Sequence, residues 1–227
     1  MRATHWITAA AFAALLITGI EILISHPRFY WGETGNVNER PLFTIPIPSS
    51  RSTLPNGYGI TLPDQNGWSR YLHFEAAWVA VLAGALYAAF GLFKGHFRRN
   101  LLPSRADLSP ATLTDEIARH VRAWKPGADD AWSYNVLQRL AYSGVVFVLF
   151  PMVIWTGLDL SPAFTSVFPA AVTILGGRQA AHTLHFVVTV LLVLFLVVHV
   201  LMVFLAGFRE RVGSMITGRV SNADEPA

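Results

Sequence analysis

The 227-residue chain contains no cysteine, and only 14% of its residues carry charge. The first absence excludes disulfides, iron–sulfur clusters, thiolate metal sites and covalently attached c-type haem. The second falls well below the roughly 25% of an average soluble domain. Internal repeats and low-complexity segments are not apparent either. What fills the chain instead is hydrophobic residues, 53% of the total, with a mean hydropathy of +0.43. They gather in four long apolar runs, so the sequence reads as a membrane protein. The net charge of +3 does not point to a nucleic-acid partner, because the basic residues flank the apolar runs as topology signals.

The runs predict an all-α membrane protein, a four-helix transmembrane bundle. One membrane domain is expected over residues 1–219, with helices at about 5–25, 71–93, 136–158 and 180–208 and a polar tail at 220–227. Each run approaches or exceeds the about 20 residues that cross a hydrocarbon core of about 30 Å. The first, "HWITAAAFAALLITGIEILI", is long for a leader's apolar core. It also has no small-residue cleavage site before a polar start, so it is expected to remain as a helix. Pro151 is expected to kink the third helix, which a membrane tolerates.

Lysine and arginine divide unevenly between the two sides of these helices. One side holds 12: Arg2, Lys94, Arg98, Arg99, Arg105, Arg119, Arg122, Lys125, Arg139, Arg209, Arg211 and Arg219. The other holds 5: Arg28, Arg40, Arg51, Arg70 and Arg178. The positive-inside rule then puts both termini and the 94–135 loop in the cytoplasm of a bacterial inner membrane. The outer face carries loop 26–70, rich in Pro, Gly and Asn without helical periodicity, and the shorter, mostly apolar loop 159–179. A 45-residue irregular loop exceeds the usual connection length and suits a function such as docking. On the inner side "TLTDEIARHVRAW" (112–124) predicts an amphipathic surface helix, with Ile117, Val121 and Trp124 on one face.

Three histidines interrupt the last run, "AHTLHFVVTVLLVLFLVVHVLMVF": His182, His185 and His199. An unpartnered imidazole in lipid costs several kcal/mol, on the order of the penalty for any buried polar group. His185 and His199 are 14 residues apart. At about 100° per residue that returns within about 40° of the same face, with a rise of about 21 Å. His182 is out of phase with His199. Other helices supply partners at matching depths: His73 lies near the outer end, beside His185, and His5 near the inner end, beside His199. Four histidines paired by depth and phase are a layout for two stacked bis-histidine haems. The pairs are too far apart to share one tetrahedral zinc.

Other residues fit this layout less specifically. Gly19, Gly84, Gly91 and Gly144 would let a flat porphyrin approach the backbone. Arg70 and Arg178 are candidates to pair with outer haem propionates, and Arg2, Arg139 and Arg209 with inner ones; interfacial anchoring is the simpler alternative for each. Glu21 and Glu75 are ionisable residues inside apolar segments. Such positions mark functional sites by default, although Glu75 is equally suited to a plain interfacial hydrogen bond. His26, His96 and His120 lie in loops or at helix ends.

With these residues in place, the sequence resembles the bacterial di-haem cytochrome b superfamily. That superfamily includes cytochrome b561, the membrane subunits of nickel–iron hydrogenase and formate dehydrogenase, and the cytochrome subunit of thiosulfate reductase. The resemblance covers the whole four-helix region. It rests on "THWITAAAFAALLITGIEI" followed by "HPRFYWGETG", on "YNVLQRLAYSG", on "GGRQAAHTLHF" and on the 14-residue histidine pair. These stretches look most like cytochromes that accompany a periplasmic molybdopterin oxidoreductase of the sulfite-oxidase type. The resemblance implies two non-covalent haems b, the inner held by His5 and His199 and the outer by His73 and His185. It departs from the family pattern in two places. Only four residues precede His5, where a longer arm is expected, and His182 stands where arginine is expected.

Two haems across a bilayer form an electron wire. With no flavin, nicotinamide or iron–sulfur motif of its own, the chain is expected to exchange electrons between the quinone pool and a periplasmic redox subunit. It is an electron-transfer subunit under this reading, with no catalytic residues. Two other functions compete: a stand-alone quinone-linked oxidoreductase acting on a small redox substrate, and a haem-free transporter or assembly factor.

Overall fold

The computed structural model describes residues 2–35, 38–46, 65–104, 107–122 and 136–218. Helices α1 (Arg2–Ser25) and α2 (Gln65–Phe93) are separated by two short strands, β1 (Arg28–Phe29) and β2 (Phe43–Thr44). Then come α3 (Pro110–Arg122), α4 (Val136–Gly144), α5 (Phe150–Asp159), α6 (Pro162–Val167), α7 (Pro169–Ile174), α8 (Arg178–Leu205) and α9 (Phe208–Thr217). Four segments are long and apolar enough to cross a membrane: Arg2–Ser25, Gly67–Phe93, Val136–Asp159 and Arg178–Leu205.

The burial pattern inverts that of a soluble protein. Large apolar side chains point outward, with Phe93 88% and Leu194 60% exposed, while Ala11, Ala76, Ala83, Ala180, Thr18, Ser69 and Thr156 are buried. Helices in lipid gain nothing by hiding leucine from lipid, so they meet through small residues that let backbones approach.

The helix ends differ from the sequence reading in ways that have physical causes. Loop 26–70 is shorter than expected, because α2 begins at Gln65 and already contains Trp68, Ser69 and Arg70. At 29 residues that helix is about 43 Å long and projects beyond a hydrocarbon core of about 30 Å. The third span is not continuous α-helix. Val145–Leu149 widens into a π-helical stretch just before Pro151, whose ring displaces the carbonyl four residues back and whose missing N–H leaves that carbonyl without its usual donor. The fourth span ends at Leu205, and Gly207 takes a φ of +97° before α9 starts in a new direction. Segment 159–179 holds α6 and α7, each opened by proline in its first turn, where no N–H is needed.

The chain divides into two compact units, residues 3–89 with 152–188, and residues 90–151 with 189–227 plus Arg2. In the first, β1 and β2 pair antiparallel, Arg28 opposite Thr44 and Phe29 opposite Phe43. Phe29 is fully buried, stacked on Phe43 at 4.7 Å and packed on Phe186 at 4.4 Å between ring centroids. The residues after β1 then cover the start of α8. The Gly32 carbonyl accepts from the N–H groups of Gln179 (2.9 Å) and Ala180 (3.2 Å), and the Glu33 carboxylate accepts from the Arg178 N–H at 3.1 Å. These are donors that a helix N-terminus leaves unpaired, and a carboxylate there also complements the helix dipole. Gly177, with a φ of +109°, lets the chains approach: a Cβ on it would stand 2.5 Å from the Gly32 carbonyl carbon. The Thr183 hydroxyl donates to the Tyr30 carbonyl at 2.6 Å. The two stretches "HPRFYWGETG" and "GGRQAAHTLHF" are thus docked on one another, which fixes the start of α8 about two turns before His185.

In the second unit the Ser143 hydroxyl donates to the Leu101 carbonyl at 3.1 Å, and Phe97 meets Phe147 edge-on at 5.2 Å. Phe97 also covers Gly91, so that glycine makes room for an aromatic side chain rather than for a porphyrin. Arg139 pairs with Asp107 at 3.7 Å. Helix α3 spans much of the amphipathic segment: the Ser109 hydroxyl accepts from the Thr112 N–H at 3.2 Å as its cap. Ile117 is exposed while Glu116 is buried; Trp124 lies outside the described residues.

Candidate functional site

The first unit brings four helices to one point, with a threonine on one pair and a histidine on the other. On α1 the Thr18 hydroxyl lies 2.8 Å from the Ala14 carbonyl and 2.9 Å from Nδ1 of His73 on α2. On α5 the Thr156 hydroxyl lies 2.7 Å from the Met152 carbonyl and 3.0 Å from Nδ1 of His185 on α8. Both threonines are completely buried. A hydroxyl has a single proton, and here it goes to the carbonyl of its own helix; the opposite assignment would leave two oxygens in contact with no hydrogen between them. Each hydroxyl therefore accepts from an imidazole Nδ1–H, with the Leu15 carbonyl a further acceptor for His73 and the Val153 carbonyl for His185. That fixes the tautomer of both histidines and puts the lone pair of each on Nε2, the form in which imidazole ligates a metal.

The ring centroids of His73 and His185 are 6.4 Å apart and their planes 66° apart. An imidazole–metal bond is about 2.0–2.1 Å, so two imidazoles on opposite sides of one metal have centroids about 6.5 Å apart. The pair fits bis-histidine ligation of a haem iron. Glycines follow both threonines and clear the ring edges: a Cβ on Gly19 would stand 3.6 Å from Cε1 of His73, and one on Gly157 3.3 Å from Cε1 of His185. Among the described residues no three His, Asp or Glu side chains converge as a metal-binding group; what the pair offers is two imidazole nitrogens.

The remaining sequence candidates are placed as follows. His182 does not join the pair; its ring lies against Phe29. Arg70 and Arg178 are exposed near the starts of α2 and α8, and the Arg178 guanidinium donates to the Leu160 carbonyl at 3.4 Å. His5 is exposed, its ring 5.4 Å from that of Trp6. His199 is half-buried, stacked on Phe195 at 5.7 Å and edge-on to Tyr142 at 6.2 Å. Glu75 is exposed on the side of α2 away from His73. Among the described residues no side chain comes within 4 Å of where a Cβ would stand on Gly84 or Gly144.

Sequence reasoning missed Thr18, Thr156, Gly157 and Asp159. Asp159 is fully buried, and among the described residues neither carboxylate oxygen has a partner at hydrogen-bond geometry, the Trp155 side chain being the nearby donor. A signal was nonetheless present. The hexapeptides "LITGIE" (16–21) and "IWTGLD" (154–159) share an apolar pair, Thr-Gly, an apolar residue and a carboxylate. They come from two helices that do the same job for two histidines.

A profile of the prokaryotic cytochrome b561 family matches residues 1–218. The chain belongs to the prokaryotic cytochrome b561 family. It is also 30% identical over 208 residues to a protein of Azospira oryzae that carries the name protein-methionine-sulfoxide reductase subunit YedZ1. The alignment covers 89% of this chain and 87% of that relative. No solved structure matches. As a cytochrome b561 protein with four membrane-crossing helices, the chain is a multi-pass membrane electron-transfer subunit that binds haem b.

Proposed function

We propose that this cytochrome binds two haems b and passes electrons between the quinone pool and a periplasmic, molybdopterin-dependent oxidoreductase subunit, the partner that the sequence resemblance implies. The outer haem lies between His73 and His185, the inner between His5 and His199. Arg70 and Arg178 serve the outer propionates, both termini are cytoplasmic, and the membrane is the bacterial inner membrane. One observation carries this reading: two imidazoles on different helices, each with Nδ1 hydrogen-bonded to a buried threonine, lie at the spacing of two axial ligands. The inner pair is supported by the 14-residue phase relation of His185 and His199 and by the family resemblance. Haem, when bound, supplies the one-electron chemistry. The chain holds it, insulates it in lipid, and presents an outer surface to the partner. The name of the Azospira relative supplies the substrate class we favour for the complex, methionine sulfoxide in proteins.

The test is haem stoichiometry. A pyridine haemochrome assay is expected to give two haems b per chain. His73→Ala and His185→Ala should each lose the same haem, and His5→Ala and His199→Ala the other. One haem or none in the unsubstituted protein overturns the di-haem assignment. The partner is tested by replacing residues 47–64, between β2 and α2, with a Gly/Ser linker. Haem spectra and reduction by a quinol analogue should persist, while turnover with the co-expressed periplasmic protein should cease.

A further inference from the structure

The Thr18 and Thr156 hydroxyls act on the redox chemistry of the site as well as on the tautomers of the two imidazoles. An axial imidazole that donates from Nδ1 gains imidazolate character and becomes a stronger σ-donor, which favours ferric over ferrous iron. The strength of that donation depends on the acceptor. A hydroxyl already donating to a carbonyl is polarised by that bond and accepts more strongly than a free one. Thr18 bonds the Ala14 carbonyl at 2.8 Å, with Leu15 at 3.2 Å. Thr156 bonds Met152 at 2.7 Å, with Val153 at 3.2 Å. The two relays match within about a tenth of an ångström, on helices 138 residues apart in sequence, and both sit in a Thr-Gly pair whose glycine lies against the same ring. Packing alone would not require a hydroxyl at either position, since valine has nearly the same shape.

We propose that Thr18 and Thr156 are paired positioning residues that hold the potential of the haem between His73 and His185 low, each acting through the Nδ1–H of its histidine. The proposal rests on the His73/His185 assignment above. It implies that this haem is tuned from both axial sides by the protein, and that the control sits on α1 and α5, which supply no ligand to it.

The experiment is a potentiometric titration of the purified holoprotein in detergent, followed by optical and low-temperature EPR spectra of both low-spin haems. Thr18→Val and Thr156→Val should each keep two haems and make one haem easier to reduce. Loss of a charge-free hydrogen bond of this kind is expected to change the reduction equilibrium by about tenfold, or about 59 mV for a one-electron couple. Both variants should shift the same haem, the one absent from His73→Ala and His185→Ala, and leave the other unmoved. Thr18→Ser and Thr156→Ser retain the acceptor and should restore the original potential. Unchanged potentials in both valine variants, or a shift in the other haem, overturn the proposal. If the valine variants fail to hold haem, the serine variants decide: two haems at the original potential support the hydroxyl relay, whereas haem loss with serine as well shows that the methyl contact is what matters. A failure of the ligand assignment would show separately, as retention of both haems in His73→Ala.

Discussion

The imidazole of His182 lies parallel to the ring of Phe29, centroids 4.9 Å apart and planes 9° apart. Three residues further along the same helix, His185 turns instead toward His73. One helical turn thus carries two histidines with different tasks, one closing the cover formed by β1 and the other facing a candidate metal position. His182→Phe should keep that stack. It is expected to retain full haem content and a midpoint of thermal unfolding near that of the unsubstituted chain. Phe29→Ala removes the fully buried centre of the cluster and should cost about 3–5 kcal/mol, measured as a lower midpoint in thermal or denaturant unfolding followed by haem release.

Gly177 is required by geometry on two counts. Its φ of +109° is one that other residues rarely adopt, and a Cβ there would run into the backbone at Gly32 and Glu33. Gly177→Ala should cost about 1–3 kcal/mol from the backbone conformation alone, and more because the 32–33 segment must retreat. Faster proteolysis within residues 26–46, alongside a lower unfolding midpoint, is the expected signature.

Glu33 closes the first turn of α8 through the Arg178 N–H. Glu33→Gln keeps an acceptor and loses the charge, whereas Glu33→Ala loses both. Losses of about 0.3–1 kcal/mol and about 0.5–2 kcal/mol are expected in that order. Haem content should be unchanged in each, because the Gly32 carbonyl still caps Gln179 and Ala180.

Asp159 is buried with no hydrogen-bond partner among the described residues, which costs free energy in any protonation state. Replacing it with asparagine preserves polarity, and replacing it with leucine removes the unsatisfied group. Asp159→Leu should raise the unfolding midpoint, by an amount corresponding to about 1–3 kcal/mol. A fall would show that the carboxyl has a partner in the assembled holoprotein.

Acid sensitivity should trace to Asp107. The backbone N–H of Ser104, at 2.8 Å, is the main reason its carboxyl is held below the ordinary carboxylate range, followed by the Ser104 hydroxyl and, more weakly, by Arg139. A carboxyl with a depressed folded value contributes stability that is complete above its unfolded value of about 3.9 and disappears as pH falls through the folded one. Asp107→Asn should therefore unfold more easily than the unsubstituted chain at neutral pH. The difference should vanish in strong acid, as read from unfolding midpoints across a pH series.

The four spans and the odd position of His182 could be read from the chain because both are local. A membrane helix must satisfy its backbone within itself, so its length and composition show in one continuous run, and a period of about 3.6 residues fixes which residues share a face whatever lies nearby. The same locality explains where that reading stopped. It placed the start of α2 too late, since polar Gln65–Arg70 carry no apolar run although they are helical. It also attributed Gly91 to porphyrin access, when Phe97 covers it. Thr18 and His73 are 55 residues apart, and Thr156 and His185 are 29 apart; neither bond follows from any period along the chain. They exist because α1 meets α2 at Thr18 and Gly19, and α5 meets α8 at Thr156 and Gly157. Helix neighbours in lipid are chosen by shape and hydrogen bonding rather than by a hydrophobic stripe that a sequence displays. The sequence by itself determined which residues cross the membrane and which histidines share a helix face. Only the tertiary structure decided what holds each imidazole, because a buried hydroxyl finds its acceptor and its donor in three dimensions.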